Sequence, residues 1–239
     1  MTLVIGHKGV PTVEPENSVA SFARARRVGI DGVELDVRRA SAGRLAVWHD
    51  PVLPDGRSLL DTPWGELSGD VAELAAVLDA CAGLQLVNVE VKNWLYDQDF
   101  DASLAFADDV AKALVERPAT ERARLVASCF HRPTVDRLRV VLDDLAPEVA
   151  TAWLLWNVDD VGEVVSVAVE QGHAALHPHF TAVTAELVDR AHAAGLTVNC
   201  WTCNDLDRIR ELAALGTDGI ITDVPEAARA ALDGDAPGP

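Results

Sequence analysis

The chain has 239 residues, 49% of them hydrophobic, and its formal net charge at pH 7 is -18. This length and apolar content allow a substantial buried core and exclude a disordered chain. The negative charge disfavours nucleic acid and anionic membrane surfaces as partners, because both would be repelled. An anionic substrate would therefore need a local positive site.

The amino-terminal segment MTLVIG carries neither a basic region nor a long apolar stretch, which predicts that it enters the fold directly. No other run reaches the roughly 18 apolar residues of a membrane-spanning helix, so we expect no stable membrane insertion and a cytoplasmic location. The four cysteines then indicate reduced thiols. Nothing in the pattern indicates an oligomeric state.

Short β-branched runs alternate with longer, Ala-rich helical patterns along the chain. Eight runs are predicted strands: LVIG (3–6), GVELDV (32–37), LQLVNVEVK (84–92), RLVAS (124–128), ATAWLLW (150–156), AALHP (174–178), TVNCWT (197–202) and GIIT (219–222). Repetition of strand and helix at this number and length predicts a closed (β/α)₈ barrel, the TIM barrel, rather than an open sheet.

The composition shows no break before the tail, which favours a single domain over residues 1–233 followed by a frayed, disordered tail at 234–239. The irregular stretch 38–67 predicts a short hairpin and loop inserted after the second strand. Three helix starts are marked by capping residues or proline: Asn17, Pro133–Thr134 and Thr184.

Alternation along two of the predicted strands points acidic side chains into the barrel. In GVELDV, the aliphatic residues face the helices while Glu34 and Asp36 face the axis, and the same parity turns Glu90 and Lys92 inward in LVNVEVK. Three acids in one barrel mouth would repel one another, so a positive group is expected between them. Oxygen ligands suit a hard divalent cation such as Mg²⁺ or Ca²⁺ better than Zn²⁺.

Two histidines follow strands that end at the same mouth. His7 comes directly after the first strand, and His49 follows the apolar run LAVW in the inserted hairpin. A cation, two histidines, Lys8 and Lys92 would form a site suited to a phosphate ester, because cations neutralise its charge and imidazoles transfer protons near neutral pH.

An ordered set of motifs over residues 7–225 resembles the glycerophosphodiester phosphodiesterase family. The motifs are HKG (7–9), PEN (15–17), SFARARRVGIDGVELDV (21–37), WHD (48–50), EVK (90–92), WTCN (201–204) and GTDGIITDVP (216–225). The resemblance implies a TIM barrel that uses one divalent cation, Mg²⁺ or Ca²⁺, to hydrolyse glycerophosphodiesters, as its small-molecule substrates, to glycerol 3-phosphate and an alcohol.

The resemblance also implies residue roles. His7 and His49 correspond to the acid–base pair, Glu34, Asp36 and Glu90 correspond to the metal ligands, and Lys92 corresponds to a lysine near the phosphate. The chain departs from the family at two points. The family usually has Arg where this sequence has Lys8, and the segment inserted after His49 is short.

Several residues admit a structural role beside a functional one. Lys92 can serve as a salt-bridge partner of Glu90 or Glu34, and Trp201 points inward, where it can line the substrate pocket or fill the barrel. We expect it in the pocket. Glu16 is expected to shape the turn before the first helix.

Other candidate sites are declined. The CWTC spacing places Cys200 and Cys203 on opposite faces of a strand, too far apart to bridge, and HPH (177–179) lacks a third soft ligand for zinc. His173 and His192 are predicted to lie on the surface, in helical or loop positions.

Two other functions are compatible with the pattern. The barrel could act on lysophospholipids or other phosphodiesters, although residues 50–70 offer no exposed apolar lid. It could also bind phosphodiesters without catalysis, but a binding protein would not need both histidines.

Overall fold

The structure is a computed structural model that describes residues 1–234. Within these residues the strands are β1 (Leu3–Gly6), β2 (Gly32–Arg39), β3 (Leu45–Val47), β4 (Ala72–Glu73), β5 (Leu86–Val91), β6 (Leu125–Cys129), β7 (Ala150–Leu155), β8 (Ala175–Pro178), β9 (Thr197–Cys200) and β10 (Gly219–Thr222). The α-helices of the same part of the chain are α1 (Val19–Val28), α2 (Leu74–Ala80), α3 (Ala105–Val115), α4 (Ala119–Arg122), α5 (Arg132–Leu145), α6 (Val161–Glu170), α7 (Ala185–Ala193), α8 (Leu206–Ala214) and α9 (Pro225–Asp233). From residue 235 onward, the predicted tail lies outside the described residues.

Eight of the strands close into a parallel barrel. Their order is β1-β10-β9-β8-β7-β6-β5-β2, and the β1–β2 pairing, with Ile5 opposite Gly32, closes the ring. The predicted (β/α)₈ barrel is confirmed, and each of the eight predicted runs corresponds to one barrel strand. Because all eight strands are parallel, their carboxyl ends meet at one mouth.

Strand alternation divides the barrel into two apolar layers. Val33, Leu35 and Val37 are fully buried against the surrounding helices, in a cluster that includes Phe22 of α1. Inside the barrel, small apolar side chains near the amino ends of the strands form a separate cluster: Val126, Ala152 and Ala175, with Leu86 and Ala150 beside them. Apolar packing thus fills the lower part of the barrel and leaves polar side chains nearer the mouth.

The helix starts follow local capping chemistry. The Thr184 hydroxyl accepts a hydrogen bond from the Leu187 N–H and caps α7, as predicted, and α5 begins one residue before Pro133. The prediction that Asn17 caps α1 is wrong. Ser18 is the cap, with its side chain accepting from the Ser21 N–H, and Asn17 has a left-handed backbone with a φ of 57°.

The segment after β2 forms the predicted insertion. β3 pairs antiparallel with the end of β2, and β4 pairs antiparallel with β3. A small apolar core holds the insertion together, formed by Ala40, Ala46, Leu53, Leu59 and Val71, with Trp48, Trp64 and Leu67 packed against it. Trp48 directly precedes His49, so this core holds in place the segment that carries His49.

None of the described helices is of the length and apolarity that crossing a membrane requires.

The insertion core generates a stability prediction. Leu59 is fully buried, so Leu59→Ala should lower the free energy of unfolding by about 2–4 kcal/mol through lost burial and a residual cavity. Leu145→Ala is the matched control, because Leu145 is an exposed residue at the end of α5. Denaturant titration of both variants measures the difference. Equal losses in the two variants would contradict the assignment of Leu59 to a core.

Candidate active site

Three carboxylates converge at the mouth of the barrel. Glu34 and Asp36 lie on β2 with exposures of 2% and 1%, and Asp36 is the Cα partner of Glu90 on the neighbouring strand β5. One oxygen from each carboxylate lies within 4.8 Å of the others. The structure thus brings together the three predicted metal ligands by the alternation that the sequence indicates.

Lys92 supplies positive charge to this cluster. Its Nζ lies 2.8 Å from Glu90 Oε1 and 3.5 Å from Asp36 Oδ1. Burial by itself would raise the pKa of Asp36, but the neighbouring cations, with Lys92 foremost, lower it to about 2. The carboxylates in turn raise the pKa of Lys92, against the effect of its burial. Lys92 is therefore charged and takes the salt-bridge role considered from the sequence.

Asn17 holds Asp36 in place. Its Nδ2 donates to Asp36 Oδ2 at 2.8 Å, and its Oδ1 accepts from the Asp36 N–H at 3.3 Å. The left-handed backbone at Asn17 allows this inward position, which a helix cap would not reach. Asn17 thus positions a candidate metal ligand, a role that the sequence prediction missed.

Glu34 is the member of the cluster that lies nearest His7. Its Oε2 accepts from the Lys8 N–H at 3.0 Å and lies 3.8 Å from His7 Nε2, while its buried Oε1 has no hydrogen-bond partner. Burial and the charge of Asp36 raise the pKa of Glu34 to about 8. A buried acceptor without a donor is costly, and a bound cation would satisfy it.

His7 is oriented by a carboxylate at the end of β10. Its Nδ1 lies 2.6 Å from Asp223 Oδ1, and Asn204 Nδ2 donates to the other Asp223 oxygen at 2.6 Å. Burial would lower the pKa of His7, but the hydrogen bond to Asp223 and the charges of Glu34 and Asp36 raise it to about 9. Asp223 lies in the GTDGIITDVP motif, but the 216 positions between it and His7 give no indication in the sequence that the two side chains meet.

His49 has a matching arrangement on the inserted hairpin. Its Nδ1 lies 2.7 Å from Asp50 Oδ1, and its Nε2 lies 3.3 Å from Lys92 Nζ. Buried Arg38 donates from Nε to the His49 carbonyl at 2.6 Å. Both predicted catalytic histidines thus have Nδ1 against a carboxylate and Nε2 directed toward the cluster, where His49 Nε2 contacts Lys92 and His7 Nε2 lies near Glu34.

Two predicted phosphate-binding residues have structural partners. Lys8 has a φ of 55°, and its Nζ lies 3.3 Å from Glu16 Oε1, so an ion pair holds its ammonium group. Trp201 Nε1 donates to the His177 carbonyl at 2.7 Å, and its ring contacts Phe130. Substrate binding by Lys8 and Trp201 stays a prediction.

The declined sites lack metal geometry. Cys200 and Cys203 are free, buried thiols. His177 accepts from Asn199 Nδ2 at 3.0 Å, whereas His179 pairs with Thr181. In the described residues, the carboxylate cluster is the one group of three or more His, Cys, Asp or Glu side chains arranged to hold a metal.

One surface assignment is wrong. His173 is buried, with Nδ1 2.9 Å from Thr151 Oγ1 and Nε2 3.0 Å from Asp136 Oδ1. The turn after α6 folds back against β7, so the residue is buried although the pattern around it is polar. His192 is exposed, as expected, and pairs with Asp218.

The residues of the cluster fit a divalent cation. The donor atoms are all carboxylate oxygens, and one of them, Glu34 Oε1, is buried without a partner. Three carboxylates and the Lys92 ammonium leave two negative charges, which one divalent cation balances. Mg²⁺ and Ca²⁺ both match this oxygen donor set, and water or substrate would complete their coordination.

Comparison with known proteins identifies the family. The family model described as the glycerophosphoryl diester phosphodiesterase family matches residues 7–227. The chain is 28% identical over 250 residues to the glycerophosphodiester phosphodiesterase of Bacillus altitudinis, covering 95% of this chain and 97% of that one. It is 29% identical over 243 residues to the enzyme of the same name from Caldanaerobacter subterraneus subsp. tengcongensis, covering 94% and 95%.

Solved structures agree on the fold. A phosphodiesterase from Oleispira antarctica, solved in complex with the product sn-glycerol-3-phosphate, superposes with a TM-score of 0.83 at 23% identity, covering 98% of this chain and 97% of that one. The barrel, its mouth and the order of the motifs are consistent with the match of the family model over nearly the whole chain. The chain therefore belongs to the glycerophosphoryl diester phosphodiesterase family.

Proposed function

We propose that this chain hydrolyses glycerophosphodiesters to sn-glycerol 3-phosphate and an alcohol, with one Mg²⁺ or Ca²⁺ held by Glu34, Asp36 and Glu90. One observation carries the proposal. Two imidazoles, His7 and His49, each have Nδ1 fixed by a carboxylate and Nε2 directed toward the same carboxylate–lysine cluster. The names of the relatives and the product bound in the Oleispira enzyme agree with this substrate class.

The histidines transfer the protons of the reaction. Asp223 and Asp50 accept from the Nδ1–H groups, so each Nε2 can take or give a proton at the phosphate. One imidazole removes the proton of the nucleophile, and the other protonates the leaving alkoxide as its bond to phosphorus breaks. With water as nucleophile the products form in one step. With the glycerol hydroxyl, a cyclic phosphate forms first and is then opened by water, and trapping that product distinguishes the two routes.

The cations of the chain would hold the phosphate. Lys92 lies between the carboxylates and His49, so its ammonium can contact a phosphoryl oxygen. Lys8 would exchange its exposed Glu16 partner for the substrate. When bound, the divalent cation supplies positive charge beside the phosphoryl oxygens and lowers the cost of the charge that develops there.

A diester needs room on both sides of phosphorus, and His49 lines two cavities. One, of about 430 Å³, also contains Glu90 and Lys92 in its lining. The other, of about 580 Å³, lies between the start of α1 and the insertion. The position of His49 between them suits a phosphate whose two substituents extend in different directions. A cytoplasmic location stays a prediction from the sequence.

The first prediction from the proposed function concerns metal removal. Chelation should abolish turnover of glycerophosphocholine and lower the melting temperature, because the three carboxylates lose their counter-charge. Re-addition of Mg²⁺ or Ca²⁺ should restore both. The variant Glu73→Gln should respond to chelation as the wild type does, because Glu73 lies outside the cluster and pairs with Arg44 on the insertion. Full turnover after exhaustive chelation would refute the metal assignment.

The second prediction concerns the histidine pair. His7→Ala and His49→Ala should each lower kcat at least about 10²-fold, the low end for loss of a general acid or base, and the rate of the wild type should be bell-shaped in pH. His192→Ala is the control, because His192 forms an exposed ion pair away from the mouth. A comparable loss in all three variants would indicate a folding defect instead of catalysis.

The third prediction concerns Lys8. If its ammonium binds the phosphate, Lys8→Ala should lower kcat/KM by the equivalent of about 2–3 kcal/mol, the scale of a charged hydrogen bond. Lys8→Arg should keep the activity, since a guanidinium can grip two phosphate oxygens. Glu16→Gln serves as the control for loss of the ion pair alone. Unchanged kinetics in Lys8→Ala would assign the phosphate to Lys92 and the metal.

A further inference from the structure

Aromatic rings follow five successive strands of the barrel, on the side that does not carry Glu34 and Asp36. The rings are Trp94 after β5, Phe130 after β6, Trp156 after β7, His179 after β8 and Trp201 after β9. These strands are neighbours in the sheet, and contacting rings have centroids 4.6 to 5.8 Å apart. We call this continuous half-circle the aromatic arc.

The aromatic arc borders the proposed reaction site directly. The cavity of about 430 Å³ has His49, Glu90 and Lys92 in its lining together with Trp94 and Phe130, and Trp156 also lines it. A substituent that extends into this cavity from a phosphate bound to Lys92 would therefore contact the aromatic rings of the lining.

The arc offers ring faces as its main contact surface. The indole N–H of Trp201 is already used by the His177 carbonyl, and Phe130 has no polar atom. Trp156 stacks on Phe130 with 16° between the ring planes and is 53% exposed. A polyol would lose its hydrogen bonds to water against such a surface, whereas an apolar group or a quaternary ammonium ion, which has no N–H, would not.

Acidic side chains lie beside the aromatic rings of the cavity. Its lining includes the carboxylates Asp50, Glu90 and Asp97, against the two cations Arg38 and Lys92. Arg38 pairs with Asp97 and Lys92 pairs with Glu90, which leaves Asp50, whose partner is the imidazole of His49. Aromatic faces beside acidic groups are the chemistry that recognises quaternary ammonium ions, which have no N–H to satisfy and bind to the negative face of the ring.

The loop that carries Trp94 is held in place before any ligand binds. Asn93 Nδ2 donates to Thr134 Oγ1 at 2.9 Å, and Asn93 Oδ1 accepts from the Asp101 N–H at 2.8 Å. Arg38 ties the middle of the same loop through its contact with Asp99 at 2.9 Å. Because the loop is already held in place, ligand binding loses little conformational entropy in this loop.

We propose that the aromatic arc binds the alcohol half of the substrate, and that it selects alcohols bearing a quaternary ammonium group, of the choline type. This selectivity rests on the proposed phosphodiesterase function. Trp156 is the main determinant, since its exposed ring lines the cavity and its other face is supported by Phe130.

The test compares two glycerophosphodiesters that differ in charge but hardly in shape: glycerophosphocholine and the 3,3-dimethylbutyl ester of glycerol 3-phosphate. The wild-type enzyme should favour the choline ester in kcat/KM by about 3- to 30-fold, the range of one desolvated cation–π contact. Trp156→Leu should reduce this ratio to near one, and Trp156→Phe should restore part of it. Val140→Ala is the control for loss of an exposed apolar side chain, because Val140 is 57% exposed on α5 and lies outside the cavity lining.

The outcomes separate this proposal from the proposed function. No turnover of either ester, with metal supplied, would refute the phosphodiesterase function itself. Equal turnover of both esters by the wild type would overturn the recognition of charge while leaving that function intact. A ratio that Trp156→Leu does not change would overturn the role of the arc.

Discussion

Glu34, Asp36 and Glu90 place three carboxylates within 4.8 Å of one another in a largely buried barrel mouth. At this separation, each pair of charged groups would repel by about 3 kcal/mol at an effective dielectric constant of about 20. The fold offsets this repulsion with Lys92 and with a pKa of Glu34 raised to about 8. The cluster thus keeps an excess of negative charge, which favours the binding of a divalent cation.

The two halves of the barrel mouth have different proposed roles. On the side of β1, β2 and the insertion, His7 and His49 each pair with a carboxylate, and Asn17 positions Asp36. Aromatic rings follow β5 to β9, and Glu90 on β5 is the one proposed metal ligand on this side. The two histidines and the other two proposed metal ligands belong to the polar half, and the proposed choice of alcohol belongs to the aromatic half. Changes in substrate preference could then arise without changes in the chemistry.

Local patterns predicted the barrel and its acidic cluster because strand alternation has a fixed period. In GVELDV and LVNVEVK that period alone places Glu34, Asp36 and Glu90 on one side, as the structure has them. Residues whose roles depend on contacts between distant segments escaped prediction. Asp223 contacts His7, which is 216 positions away in the sequence. Asn17 was predicted to cap a helix but binds Asp36, and His173 was predicted to lie on the surface but is buried. The aromatic arc could not be predicted, because its rings come from five separate segments that only the fold places next to one another.

The central claim is that the carboxylate cluster, whose negative charge Lys92 balances only in part, is a divalent-cation site. Burial and the charge of Asp36 raise the pKa of Glu34 to about 8 in the absence of a cation, so a cation bound there should displace a proton from this carboxyl group. Protonated ligands bind metal poorly, so affinity should fall as the pH drops below about 8. Calorimetric titration with Ca²⁺ at pH 7, in buffers of different ionisation enthalpy, should report release of about one proton or more per bound ion. Binding at this site with no proton release, or no binding at all, would contradict the account.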